Sequence, residues 1–255
     1  MTTITILGLG EAGRLYAVGL AAAGADVRAY DPFKDGSADA IVQIGDVPTA
    51  GADAVLSLVG GSSASAVADA ALAALTPSAV YADLNTAAPE VKRAIAARAA
   101  VRGIPMADVA VLAPVVRAGH RTALLASGDG APLLAELLTP LGVPITAIDG
   151  EAGEAARLRL LRSGFMKGLA ALVIEGLGSA RAAGDEEWLR GQIAAELGPG
   201  GSELVDRLIE GTYRHAVRRE HEVGDVLAAL EASGQPADMT RATLAWFRRI
   251  VATRS

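Results

Sequence analysis

The sequence predicts an α/β domain with a doubly wound, mostly parallel sheet, followed by an all-helical C-terminal domain. Three observations carry this. Over the first 150 residues, short apolar runs alternate with Ala-rich helical stretches, the pattern of right-handed crossovers between parallel strands. The first apolar run ends in GLGEAG (8–13) and opens directly into a helical stretch. After Gly150 the strand signals stop and helical spacing alone remains.

Seven runs read as strands: ITILGL, DVRAYD, AVLSLV, AVYADL, PMADVAV, TALLAS and PITAID. Between them GRLYAVGLAAAG, SASAVADAALAALT, APEVKRAIAARAAVRG and GAPLLAELLTPLG read as helices. The boundary falls near 150, giving an α/β domain at 1–150 and an all-helical domain at 151–255. Residues 151 to about 183 contain no proline and read as one long interdomain helix, ended near Gly184. Asp185 is placed to cap the next helix, with Glu186 and Glu187 in its first turn, and GPGG (198–201) stops it. Ser202 opens a further helical stretch to about 233, GQP breaks it, and a last helix runs from about 238 to 252. Trp188, Trp246 and Phe247 read as helix-packing residues.

Hydrophobic residues make up 51% of the chain but aromatics only 4%, so the cores are built from Ala, Leu, Val and Ile. The net charge of -6 argues against a nucleic-acid or acidic-membrane partner. No cysteine is present, which excludes disulfides, thiolate metal sites and cysteine nucleophiles. An apolar strand begins at position 4 with no basic segment before it, and no run of 18 apolar residues occurs. A cytoplasmic location is therefore expected.

GLGEAG fits G-x-G-x-x-G between a strand and a helix, the context in which that spacing has mechanical meaning. Gly8 permits the tight turn, Gly10 lets backbone approach a pyrophosphate, and Gly13 lets helix pack close to strand. The loop Gly8, Leu9, Gly10, Glu11, Ala12 and Gly13 then presents free N–H groups and a partial positive charge to phosphates. Asp31 ends the second strand, where a carboxylate accepts from the adenosine ribose hydroxyls and repels a 2′-phosphate. The fold is thus Rossmann-type, and the expected cofactor is NAD(H) ahead of NADP(H), with Arg28 and Lys34 nearby weakening that preference.

Two further strand ends, LSLVGGSSASAV (56–67) and DLNTAAPEVKRAIA (83–96), together with the glycine loop, resemble the β-hydroxyacid dehydrogenase superfamily. That superfamily includes 6-phosphogluconate dehydrogenases, 3-hydroxyisobutyrate dehydrogenases and imine reductases. The resemblance implies that Val59, Gly60, Asn85 and Thr86 line the nicotinamide side of the cofactor. Read by themselves, Thr86 is equally a helix cap and Pro89 a first-turn proline. ADVAVLAPVVRAGHRT (107–122) supplies Asp108, in the resemblance a substrate-side aspartate, but Leu112, Ala113 and Pro114 replace the family's Ser-Gly-Gly loop. Arg117, His120 and Arg121 follow, either as an anion-holding group or as a solvated basic loop.

The segment GEAGEAARLRLLRSGFMKGLAALVIEGLGSARAAG (150–184) resembles the family's G-x-x-G start of the second domain. The lysine that serves there as general acid/base is here Arg159, and Ser163 stands near the family's asparagine. A guanidinium stays protonated up to about pH 12, so Arg159 binds anions or stabilises an oxyanion but accepts no proton. Lys167 is either the alternative proton carrier or a solvated, structural lysine. Residues 159, 163 and 167 step by four and stay within roughly 80° of one helical face, expected to face the cleft between the domains. Gly164 and Gly168 on the same helix weaken it by about 1 kcal/mol each, which points to a close-packed partner.

The C-terminal half resembles a branch with a short divergent helical domain of uncharacterised function. In the superfamily such helices pack on a partner subunit and close the substrate cleft, which implies substrate contact for His215 or Arg218 and makes a homodimer the expected assembly; read by spacing alone, the same residues form a helix surface with Arg–Glu pairs such as Arg218–Glu222. His215 and His221 are six apart, about 240° round a helix, and cannot chelate one metal, so no metal is expected. The expected function is an NAD(P)-dependent oxidoreductase acting on a small, anionic hydroxy- or keto-acid-type substrate. An imine-reductase-like enzyme acting on C=N, and a non-catalytic dinucleotide-binding sensor or scaffold, are the alternatives.

Overall fold

The computed structural model describes residues 1–33, 42–43 and 49–253; Lys34 lies outside them. The chain divides into two compact units, Met1–Arg159 and Leu160–Ser255.

Among the described residues, the first unit is built on an eight-stranded sheet. β1 (Thr3–Leu7), β2 (Asp26–Tyr30), β3 (Val42–Gln43), β4 (Ala54–Ser57), β5 (Val80–Asp83), β6 (Met106–Val111), β7 (Leu124–Ser127) and β8 (Ile145–Ala147) lie in the order β3-β2-β1-β4-β5-β6-β7-β8. All seven sequence-predicted strands are present. β3 is the addition, and its two residues carry no apolar run. Every pairing is parallel except β6 with β7. The link from Val111 to Leu124 holds two 3-10 turns and no crossover helix, so the chain returns antiparallel.

Helices cover both faces: α1 (Glu11–Ala22), α2 (Ala64–Ala74), α3 (Pro89–Val101) and α4 (Ala131–Leu138). The two-residue period of the strands sorts the core. Ile4, Ile6 and Leu56 pack with Tyr16 and Leu20 of α1 and Leu134 of α4. Leu7 and Val55 point the other way, to Ala68 and Leu72 of α2 and Ile95 of α3. The chain runs outward from β1 to β3, then returns beside β1 as β4. Strand order therefore reverses at the carboxyl ends of β1 and β4, the place where such sheets bind ligands.

The long helix α5 (Glu154–Ala183) has 30 residues and crosses from the first unit into the second. There α6 (Glu186–Glu196), α7 (Gly201–Arg214), α8 (Ala216–Ala232) and α9 (Asp238–Ala252) follow. Ala170, Val173 and Leu177 of α5 pack on Val205 and Leu208 of α7, and Phe247 of α9 is fully buried with Val223 and Leu244. A Cβ on Gly164 would lie 2.8 Å from Val226 Cγ1, so that glycine admits α8.

Three expectations are corrected. The stretch from Ser202 is two helices, broken at His215 with φ -122° and ψ 31°; the helical angle between His215 and His221 therefore does not apply. Asp185 holds the cap position of α6 but its side chain makes no cap bond. Trp188 is 67% exposed and is not packed in this chain.

The tightest glycine contact is Gly13, where a Cβ would lie 1.9 Å from the Gly8 carbonyl oxygen, whereas at Gly10 it would meet nothing within 4 Å. Gly13→Ala is expected to destabilise the protein by about 1–3 kcal/mol through overpacking. Gly10→Ala stays within about 0.5 kcal/mol of wild type, as surface substitutions do. Urea denaturation of both variants measures the difference.

Candidate active site

The glycine loop leaves β1 at Gly8, whose φ of +93° only glycine adopts without strain. A Cβ there would also lie 2.7 Å from the Leu58 carbonyl oxygen. Gly10 caps α1 in an extended conformation with no side-chain cap bond, so the first-turn N–H groups of Glu11 and Ala12 point where a ligand can take them. The open space at Gly10 is the space a pyrophosphate needs. Glu11 is exposed and Ala12 half-buried.

Asp31 bonds two backbone N–H groups. Its Oδ2 accepts the Leu9 N–H at 2.7 Å and its Oδ1 accepts the Phe33 N–H at 2.9 Å. The carboxylate thus ties the glycine loop to the end of β2. Arg28 is committed elsewhere: it donates to the Ala50 carbonyl at 2.9 Å and lies 3.6 Å from Asp26.

On the other side of β1, the loops after β4 and β5 are joined by Asn85. Its Oδ1 accepts the Gly60 N–H at 2.8 Å, and its Nδ2 donates to Ser57 Oγ at 3.0 Å and Asp83 Oδ1 at 2.6 Å. Val59 is half-buried, and Gly60 and Thr86 are exposed. Thr86 is not the cap of α3, a position Ala88 holds, and Pro89 is the first helical residue.

Asp108 is corrected from a substrate contact to an internal strut. It is fully buried, and its Oδ2 accepts the N–H groups of Gly153 (3.0 Å) and Ala156 (2.9 Å). Ser127 Oγ takes the N–H of Ala155 at 3.0 Å. β6 and β7 together therefore cap the N-terminus of α5, where a carboxylate is stabilised by the helix dipole. Beside Asp108 lies Lys92, 1% exposed, which sequence reasoning missed. A signal was present, since Pro89, Lys92, Ile95 and Ala99 form the buried stripe of α3.

In the second unit Lys167 donates to Ser163 Oγ at 2.5 Å and pairs with Glu222 of α8 at 2.7 Å. Arg218 reaches the other oxygen of Glu222 at 3.1 Å. The Arg218–Glu222 contact is the i, i+4 pair that the helical spacing gives, and Lys167 is the partner of Glu222 that the spacing did not show. His215 is exposed. Arg219 donates to Thr212 Oγ1 at 2.7 Å, and burial holds its guanidinium below the usual value. Arg159, on α5 at the close of the first unit, is half-buried. In the loop after β6, Arg117 and Arg121 are exposed. His120 instead leans on α1, its ring filling the place where Gly19 lacks a side chain. Burial, with the neighbouring charge of Arg121, lowers its pKa below the ordinary histidine value.

The model of the NAD binding domain of 6-phosphogluconate dehydrogenase matches residues 3–142, and that of a domain of unknown function, DUF1932, matches residues 180–250. A conserved hypothetical protein from Sinorhizobium meliloti 1021 is 33% identical, with 97% of this chain and 88% of that chain covered and a TM-score of 0.78. The 3-hydroxyisobutyrate dehydrogenase of Mycobacterium tuberculosis superposes with a TM-score of 0.81 at 21% identity, covering 99% and 94% of the two chains. A reductive aminase from Aspergillus terreus does so with a TM-score of 0.64 at 18% identity, also over 99% and 94%. These last two likenesses show the fold alone. An uncharacterized 28.5 kDa protein of Methanothermus fervidus is 27% identical over 171 residues, 67% of this chain and 66% of that protein, so the matched segment spans just under two thirds of that relative. The chain belongs to the family that shares the NAD binding domain of 6-phosphogluconate dehydrogenase, with a DUF1932 domain at its C-terminal end.

Proposed function

We propose that this chain is an NAD(P)-dependent oxidoreductase acting on a small anionic substrate of the hydroxy- or keto-acid type. The observation that carries the reading is the glycine loop, with its uncapped α1 N-terminus, open Gly10 and Asp31 tether. Gly8, Leu9, Gly10, Glu11, Ala12 and Gly13 hold the pyrophosphate, and Asp31 the adenosine ribose. The reversal of strand order supports a path for the other half of the dinucleotide across β1, toward Val59, Gly60, Asn85 and Thr86. The bound nicotinamide supplies or accepts the hydride.

Arg159 binds and orients the substrate anion, since a guanidinium offers a fixed fork of donors and gives up no proton near neutrality. Lys167 moves the proton, its Nζ aimed by Ser163 and Glu222. Arg218, paired to Glu222 but 63% exposed, and His215 are the further candidates for substrate contact. A C=N substrate is the second reading. Arg159 at the usual lysine position favours it, because an iminium needs less proton donation on reduction. A non-catalytic dinucleotide sensor is the third, admitted by the altered loop at Leu112, Ala113 and Pro114.

NAD is preferred over NADP because the Asp31 carboxylate would repel a 2′-phosphate while Arg28 is engaged with Asp26 and Ala50. The expected place of action is the cytoplasm; among the described residues no helix is long and apolar enough to cross a membrane. The assembly proposed is a homodimer. Leu161, Phe165 and Leu172 are 49%, 69% and 56% exposed and fall within about 40° of one another on α5, an apolar stripe suited to a second copy.

Thermal-shift titration tests the cofactor. NADH at 100 times its Kd adds about 2.7 kcal/mol of native-state stability, NADPH adds less, and Asp31→Asn narrows the gap between them. Stabilisation by neither nucleotide overturns the oxidoreductase reading. Light scattering tests the assembly: wild type runs at twice the chain mass and Phe165→Glu at the mass of one chain. A monomeric wild type removes the dimer.

A further inference from the structure

The strongest feature left unassigned is the buried ion cluster between α3, β5 and β6. Lys92, Asp83 and Asp108 are at most 1% exposed. The Lys92 ammonium donates to the Asp83 carbonyl oxygen at 2.7 Å and lies 3.3 Å from Oδ1 of each carboxylate. One cation thus serves two buried anions. Asp83 Oδ2 and Asp108 Oδ1 have no hydrogen bond, so the ammonium is the charge partner that keeps this arrangement tolerable.

The cluster reaches outward along two chains of bonds. Asp83 Oδ1 accepts both the backbone N–H of Asn85 (2.8 Å) and its Nδ2 (2.6 Å). Nδ2 also donates to Ser57. With both amide hydrogens committed, Oδ1 of Asn85 can only face the N–H of Gly60, which it accepts. Gly61 meanwhile is pressed on the Thr86 carbonyl, where a Cβ would lie 2.2 Å from the oxygen. Along the second chain, Asp108 Oδ2 holds the N-terminus of α5 through Gly153 and Ala156.

We propose that Lys92 is a positioning residue for the nicotinamide half of the cofactor, acting through Asp83 and Asn85 on the Gly60 loop and through Asp108 on the start of α5. This rests on the cofactor reading above. The adenosine half is held on the far side of β1, by Asp31 and the glycine loop, and shares none of these bonds. Lys92 therefore acts on one half of the dinucleotide and leaves the other alone.

Calorimetric titration with NADH and with ADP-ribose, which keeps the second ribose but lacks the nicotinamide ring, separates the ring's contacts from those of the rest of the dinucleotide. Lys92→Met removes the ammonium. Lys92→Met/Asp108→Asn removes one charge of each sign, keeps the cluster's net charge, and provides the folded comparison if the single variant does not fold. NADH is expected to bind about tenfold more weakly in the variant, the loss of one charge-assisted hydrogen bond, with ADP-ribose changed by less than about twofold. Equal weakening of both ligands, or of neither, overturns the positioning role and leaves the cofactor reading standing. Wild type binding NADH and ADP-ribose equally overturns it too, since no nicotinamide contact then exists to position. Wild type binding neither overturns both the cofactor reading and this inference.

Discussion

α1 sits so close to the turn after β1 that a single methyl group at residue 13 would land 1.9 Å from the Gly8 carbonyl oxygen. Much of the first unit follows from that contact. It sets the depth at which Tyr16 and Leu20 meet Ile4 and Ile6. It also aims the uncapped N–H groups of α1 at the end of the sheet where strand order reverses. A larger residue would tilt the helix, and the anion-attracting end of its dipole would no longer face that place.

Around the contact, the protein fixes its loops with carboxylates. Asp31 takes the Leu9 N–H, Asp83 takes two hydrogens of Asn85, and Asp108 takes two N–H groups of α5. Charge-assisted bonds to backbone N–H are short and strong, which suits loops that must hold still beside a ligand. The two deepest acids are tolerated because Lys92 stands between them. Removing one member of such a cluster strands the rest without compensation, typically at about 3–5 kcal/mol. Rigid strand-end loops are thus obtained in a chain with few aromatics and no disulfides.

The sequence made part of this legible. The glycine spacing, the seven apolar runs and the long proline-free helix follow from local rules of turn geometry and periodicity, and each is found. β3 escaped notice because two residues hold no period. The antiparallel return of β7 was hidden in Arg117 to Arg121, where 3-10 turns replace a crossover helix. The break at His215 has no Gly or Pro to mark it, since Ala216 and Val217 continue the helical spacing. Trp188 is apolar but exposed, which burial rules read from the sequence alone do not foresee. Asp108 was misread because an acid within a strand looks the same from sequence whether it meets a ligand or a helix terminus. Lys92 was passed over because a lysine in a helix is ordinarily a solvated one. Its burial follows from Asp83 and Asp108 standing opposite each other, in register on the neighbouring strands β5 and β6.

In the proposed function the dinucleotide's phosphates rest on the N-terminus of α1. Amide-resolved NMR of the labelled protein titrated with NAD+ tests it most directly. The expected shifts concentrate at the N–H groups of Gly10, Glu11 and Ala12, with smaller ones at Gly60 and Asn85. Saturating NAD+ that leaves Gly10 to Ala12 unmoved, or that moves amides of α6 to α9 alone, would contradict it.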